Sequence, residues 1–207
     1  MEQALICIPR KENKAPRWAK LRDCLWEGPE CLRRFVALKH IYPSCQRLFR
    51  DFFLIPDAGI KDLVREAKLV CRGDPLPYIR NLLLEMEKHL EKDESITVFT
   101  QLQFHSIWPI YNGEKEEDWD TLEFANGNTA WFIADRAHLL DSFRARLPLV
   151  AFQVEDVLKM PLLMRKLGVD KRRLTRAITS IAKTTGTTRP SLNYQEQLRS
   201  KVDFIAR

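Results

Sequence analysis

No apolar run in the 207-residue chain comes near the roughly 18 residues that a membrane-crossing helix needs. The N-terminus "MEQALICIPRKENK" carries only five apolar residues in a row after Glu2, without the basic flank and length of a secretory leader. No membrane insertion is expected, and an intracellular protein, cytoplasmic or nuclear, is. Glycine is scarce, with 7 residues, and no glycine pair stands at the Walker spacing GxxxxGK[ST]. The hydroxyl-rich "KTTGTTRP" at 183–190 has Gly186 alone and reads as a polar loop. The four histidines, His40, His89, His105 and His138, show neither HxxxH nor HExxH spacing. Five cysteines (Cys7, Cys24, Cys31, Cys45, Cys71) contain no CxxC pair, which argues against a zinc knuckle or a dithiol redox motif. An odd count without a leader fits reduced thiols, with Cys45 and Cys71 on apolar helix faces as packing residues. No catalytic residue, metal ligand or cofactor site is assigned, and the chain is expected not to be an enzyme.

What is present is ordinary for a folded domain. Hydrophobic residues make up 45% and charged residues 30%, too apolar for disorder. The net charge is +6 and most of it alternates with acids along helical stretches. The densest basic cluster is Arg165, Lys166, Lys171, Arg172, Arg173 and Arg176, interrupted by Asp170. It reads either as a solvated face near a helix end, where the dipole favours cations, or as a polyanion- or partner-binding patch.

Periodicity divides the chain. Residues 1–16 read as irregular, and 18–25 as a short helix ended by "EGPE". In 43–53, Cys45, Leu48, Phe49, Phe52 and Phe53 follow helical spacing behind Ser44 as a cap. Ile60, Leu63, Val64, Ala67 and Val70 repeat the pattern and Gly73 stops it. After the Pro75 and Pro77 breaks, Ile79, Leu82, Leu83, Met86 and Leu90 form a third stripe. Beyond 104 the pattern changes. "HSIWPIY" alternates like a strand, Asn126-Gly127 reads as a tight turn between two strands, and "LPLVAF" is a short strand. "VEDVLKMPLLMRKLG" is helical with a break at Pro161 and a cap at Gly168, and Leu198, Val202 and Ile205 follow helical spacing near the end. The expectation is an α+β protein: an α-rich lobe over 17–104 and a small α/β lobe over 105–207, separate or run together as one domain.

Three short stretches invite chemistry. "PDAGIKD" matches half of an Asp-x-Gly-x-Gly adenine-binding turn through Asp57 and Gly59, but Lys61 stands at the second glycine; a loop-to-helix junction explains it. "DWD" at 118–120 pairs two carboxylates in an acidic loop, short of a magnesium site. In "TAWFIADRAHLLDSF", residues 129–143, Asp135, Arg136 and His138 meet where a strand turns into a helix. Asp135 sits where a capping carboxylate would, with Leu139, Leu140 and Phe143 turned to the core.

Several phrases also carry a resemblance. "IWPIY", "AWFIADRAHLLDSFRARLPLVAF", "VEDVLKMPLLMRKLGVDKRRLTRAIT" and "LRSKVDFIAR", in this order, resemble a segment of large fungal proteins that bear a Bergerat-type ATPase domain related to the sacsin and plant No Vein group. "LWEGPECLRRFVALKHIYPSCQRLFRDFF" and "DAGIKDLVREA" look like the helical region before that segment. The resemblance covers residues 22–207. It implies a free-standing or truncated piece lying downstream of the ATPase, without that domain's nucleotide motifs, and it carries over no site residue. The reading is a non-catalytic interaction or scaffold protein that binds a larger partner. The alternatives are an accessory enzyme of a fungal biosynthetic pathway with an unrecognised site, and a basic nucleic-acid-associated protein.

Overall fold

The computed structural model describes residues 6–9, 16–92, 98–111 and 122–178. The tail helix pattern, "KTTGTTRP" and "DWD" lie outside them. All described residues but Ile178 belong to one compact unit, Met1–Ala177.

The chain opens with two small sheets. β1 (Ile6–Ile8) pairs antiparallel with β2 (Arg17–Ala19), Cys7 opposite Trp18, and β3 (Cys24–Leu25) pairs in parallel with β4 (Val36–Ala37). The helix expected over 18–25 does not form; a single 3-10 turn, Leu21–Asp23, separates β2 from β3. Eight residues are too few to hold a helix without a packed face. Here Ala19, Cys24 and Trp26 enter a core instead, with Ile6, Val36, Leu38, Phe49 and Ile55.

The helix expected over 43–53 is also altered. A 3-10 turn, Pro43–Cys45, runs into a six-residue π-helix, Arg47–Phe52, and Ser44 makes no cap. Its i→i+5 repeat closes through the Phe53 N–H on the Leu48 carbonyl at 3.0 Å. Residues four and five apart then share a face, so Leu48, Phe52 and Phe53 point outward together. Only Phe49 is buried.

The next two helices follow the sequence. α1 (Ile60–Ala67) buries Leu63, Val64 and Ala67, and the Asp62 carboxylate accepts the Gly59 N–H at its start, at 2.9 Å. α2 (Leu76–Lys92) begins earlier than Pro77 suggested, because proline in a first turn loses no intrahelical bond. Its stripe of Ile79, Leu82, Leu83, Met86 and Leu90 is wholly buried.

A 3-10 turn (Val98–Leu102) leads to a three-stranded sheet. β5 (Trp108–Tyr111) is central, flanked by β6 (Glu123–Ala125) and β7 (Leu149–Val150), both antiparallel to it. The Asn126-Gly127 turn is present, with the Asn128 N–H on the Asn126 side-chain oxygen at 2.8 Å, but it does not join a hairpin. The run after it bridges in parallel instead, Phe132 to Leu149 and Ile133 to Arg173. α3 (Ala137–Phe143) lies on the surface with no fully buried residue. α4 (Val154–Leu158), α5 (Pro161–Lys166), a 3-10 turn (Asp170–Arg172) and α6 (Leu174–Ala177) complete the described chain. Pro161 starts α5, and Gly168 follows it at φ +70.

The class is α+β. The main core runs from Leu25 to Val169: α1 and α2 with Leu32 and Phe35, then Phe99, Trp108, Trp131, Phe152 and Met164. Trp108 and Trp131 lie 5.2 Å apart at its centre.

Candidate functional site

At the strand-to-helix junction, Asp135 does not cap α3. Arg136 holds the cap position with extended backbone and makes no side-chain cap bond. The Asp135 carboxylate instead reaches 40 residues ahead, accepting the Thr175 N–H at 3.2 Å and the Thr175 hydroxyl. It ties down the first turn of α6, where free amides favour an anion. Arg136 and His138 are exposed, and Leu139, Leu140 and Phe143 are half-buried rather than core. The three polar residues of the junction are not brought together as a reacting group.

The basic cluster divides into two. Arg172 donates to the carbonyls of Gly127, Thr129 and Trp131, the last two at 2.6 and 3.1 Å, and stacks 4.6 Å over the Trp131 ring. Burial draws its guanidinium below the ordinary arginine value. Arg173 pairs with Asp170 at 2.7 Å and Arg176 pairs with the same carboxylate. These three arginines serve the fold. Arg165 and Lys171 are exposed and Lys166 half-buried, and their side chains have no ion-pair partner among the described residues.

Three buried carboxylates escaped the sequence reading: Asp156, which pairs with Arg80 at 3.6 Å, and two that are almost wholly enclosed. Glu66, 1% exposed, accepts the Tyr78 hydroxyl at 2.6 Å and the Arg33 and Arg34 amides at 3.2 and 3.4 Å. Arg33 in turn lies 3.7 Å over the Tyr78 ring and pairs with Asp74 at 3.4 Å. Burial, then the bond to Glu66, pushes the Tyr78 hydroxyl far above its usual value, so it stays protonated. Glu87, 2% exposed, accepts the Leu162 and Leu163 amides at 2.9 and 2.7 Å and so caps α5 from α2. Burial raises its carboxyl above the ordinary value of 4.5 in spite of those bonds. A usable signal existed: Glu66 and Glu87 sit on the apolar stripes, three after Leu63 and four after Leu83.

Glu87 also edges an open cleft of about 580 Å³ beside α2, with Glu30, Cys31, Glu85, Lys88 and Lys159. Part of its polar lining is committed. Glu85 pairs with Lys88, Glu87 caps α5, and burial pushes the Cys31 thiol up to about 11, away from thiolate chemistry. Among the described residues no group of three or more His, Cys, Asp and Glu is placed to hold a metal ion.

The surface feature that stands apart is apolar. Leu48, Phe52 and Leu54 are 46%, 75% and 76% exposed, and Phe53 is 38% exposed. Phe52 meets Phe53 edge-on at 5.2 Å, and Phe53 leans on buried Phe49 at 6.2 Å, so the ridge is anchored in the core. Leu54 holds φ +54, a left-handed conformation costly for a side chain of this kind, on the order of 1 kcal/mol. That turn points Leu54 into solvent while Ile55 is buried.

No curated protein and no solved structure matches the chain. A family described as a domain of unknown function, DUF8348, matches residues 61–178, from α1 to just beyond α6. That match takes in the α1–α2 pair, the three-stranded sheet, the Glu87 cap and the Arg172 clamp, more than half of the 207 residues. The chain therefore belongs to the DUF8348 family.

Proposed function

We propose that the chain is a non-catalytic interaction or scaffold domain that works inside the cell, and the observation that carries this is the exposed ridge Leu48–Leu54. Water-facing aromatic and aliphatic side chains in one run, with strained backbone at Leu54, mark a contact surface. The interior supports the same reading. The buried carboxylates Glu66 and Glu87 are bonded to amides and a phenol across the packing of α1, α2 and α5, as structural partners are. An intracellular setting keeps exposed Cys71 reduced. The ordered short phrases of residues 22–207 support a kinship with the segment that follows the ATPase in large Bergerat-type proteins. In that case the domain serves a larger assembly and supplies no nucleotide site.

The test compares the native size of the wild-type chain in cell extract with that of the double variant Phe52→Ser/Leu54→Ser. The wild type is expected in a complex larger than the chain, and the variant at chain size with unchanged abundance. A wild-type chain that migrates alone, or substrate turnover by the purified chain, overturns the reading. Arg165, Lys166 and Lys171 favour a second reading, binding of a polyanion. It requires nucleic-acid retention that falls steeply as salt rises.

A further inference from the structure

We propose that the ridge Leu48–Leu54 is a two-fold contact, covered by the same ridge of a second copy of this chain. This rests on reading the chain as an interaction domain and names its partner. The argument starts from the charges beside the ridge. Four ionised residues lie on or next to the π-helix: Arg47, Arg50, Asp51 and Asp57. Arg50 and Asp57 satisfy each other at 2.7 Å. Arg47 and Asp51 are exposed and have no ion-pair partner among the described residues, although they stand four apart on one short helix.

The ridge thus presents one positive charge, one negative charge and an apolar strip, and the charges sum to zero. In a two-fold contact residue i meets j while j meets i. Two such helices crossing antiparallel set Leu48 against Phe52 of the second copy, and Arg47 against Asp51 of the second copy, each twice. The pattern is its own complement. An anionic membrane fits less well, because Asp51, next to Phe52, would be pressed against headgroups of its own sign.

Area gives the size class of the contact. The exposed fractions of Leu48, Phe52, Phe53 and Leu54 amount to on the order of 400 Å² of apolar surface, taking roughly 150–250 Å² for a large side chain. A stable interface buries about 800 Å² on each side, so the strip supplies about half. Its exposed neighbours Gln46, Arg47 and Asp51 supply polar groups beside it. Such a contact sits at the small end of specific interfaces, where weak and transient association is found.

Sedimentation velocity on the full chain, across the micromolar range, tests this. The wild type is expected to move from 24.3 kDa towards twice that mass as concentration rises. Phe52→Ser/Leu54→Ser stays monomeric with an unchanged melting curve. Arg47→Asp and Asp51→Arg each weaken the dimer about fivefold, since like charges then meet twice. Combined, the two substitutions restore it, because the two-fold rebuilds both pairs with their signs exchanged. Monomer at every concentration overturns the proposal. So does a dimer that survives loss of Phe52 and Leu54, a charge swap without rescue, or ridge-dependent sedimentation of monomers with phosphatidylserine vesicles. A monomeric pure chain that still joins a ridge-dependent complex in extract removes the second copy but leaves the interaction domain standing.

Discussion

Glu66 stabilises by being surrounded. Three donors converge on its carboxylate, the buried Tyr78 hydroxyl and the part-buried amides of Arg33 and Arg34. Glu66→Ala is expected to cost about 3 kcal/mol in urea unfolding, because it leaves the buried Tyr78 hydroxyl unpaired and breaks two amide bonds besides. Tyr78→Phe removes one donor and should cost about 1 kcal/mol. Glu87 behaves differently. Its folded-state pKa is raised, so the folded protein holds that proton more tightly than the unfolded chain does. Its contribution is complete below the unfolded value and is lost as pH climbs from the ordinary 4.5 through the raised one. Melting temperatures of wild type and Glu87→Gln, measured across that window, should differ in slope, with the decline missing from the variant. Neither acid announced its role in the sequence, where a glutamate on a helix counts as a solvated position. The departure from that rule was visible as spacing. The bonding partners, 12 to 76 residues away, were not.

At the scale of elements, α1, α2, the break at Pro161 and the stop at Gly168 were legible because period and cap are local properties. The segment 43–53 was not. Its apolar residues suit an α-helix with a buried stripe as well as a π-helix with an exposed one. Only the surrounding packing, Phe49 against Trp26 and Tyr42, decides which face turns inward. The basic cluster was legible as charge and opaque as structure, since counting arginines says nothing of carbonyls reached across 41 to 45 residues. Arg172→Ala removes three carbonyl bonds and a stacking contact, and about 2–3 kcal/mol of destabilisation is expected. Lys171→Ala, one residue away and exposed, should stay within about 0.5 kcal/mol in the same thermal-melt comparison. Equal effects from the two would mean that the clamp does not form. The Asp135 carboxylate, read as the cap of α3, bonds the first turn of α6 instead.

For the whole molecule, the family match and the core have different limits. DUF8348 begins at residue 61, whereas Leu25, Cys31, Leu32 and Phe35 belong to the main core and Glu66 takes its amide donors from residues 33 and 34. A chain cut to 61–178 would expose the inner faces of α1 and α2 and leave Glu66 with Tyr78 alone. Such a fragment is expected to lose near-ultraviolet circular dichroism and to melt without a sharp transition. A fragment that melted as cooperatively as the full chain would show that residues 25–38 are dispensable.

The Arg172 clamp also bears on how the protein is made. The Gly127–Trp131 loop is held by a residue more than 40 positions later, and the Ile133 carbonyl accepts the N–H of Leu174. A nascent chain emerging from the ribosome can form α1 and α2 early, from local contacts. It cannot lock the loop over Trp131 until Leu174 has left the exit tunnel. During that interval Trp131 lacks the arginine that lies over it, and it offers a chaperone an aromatic surface to meet.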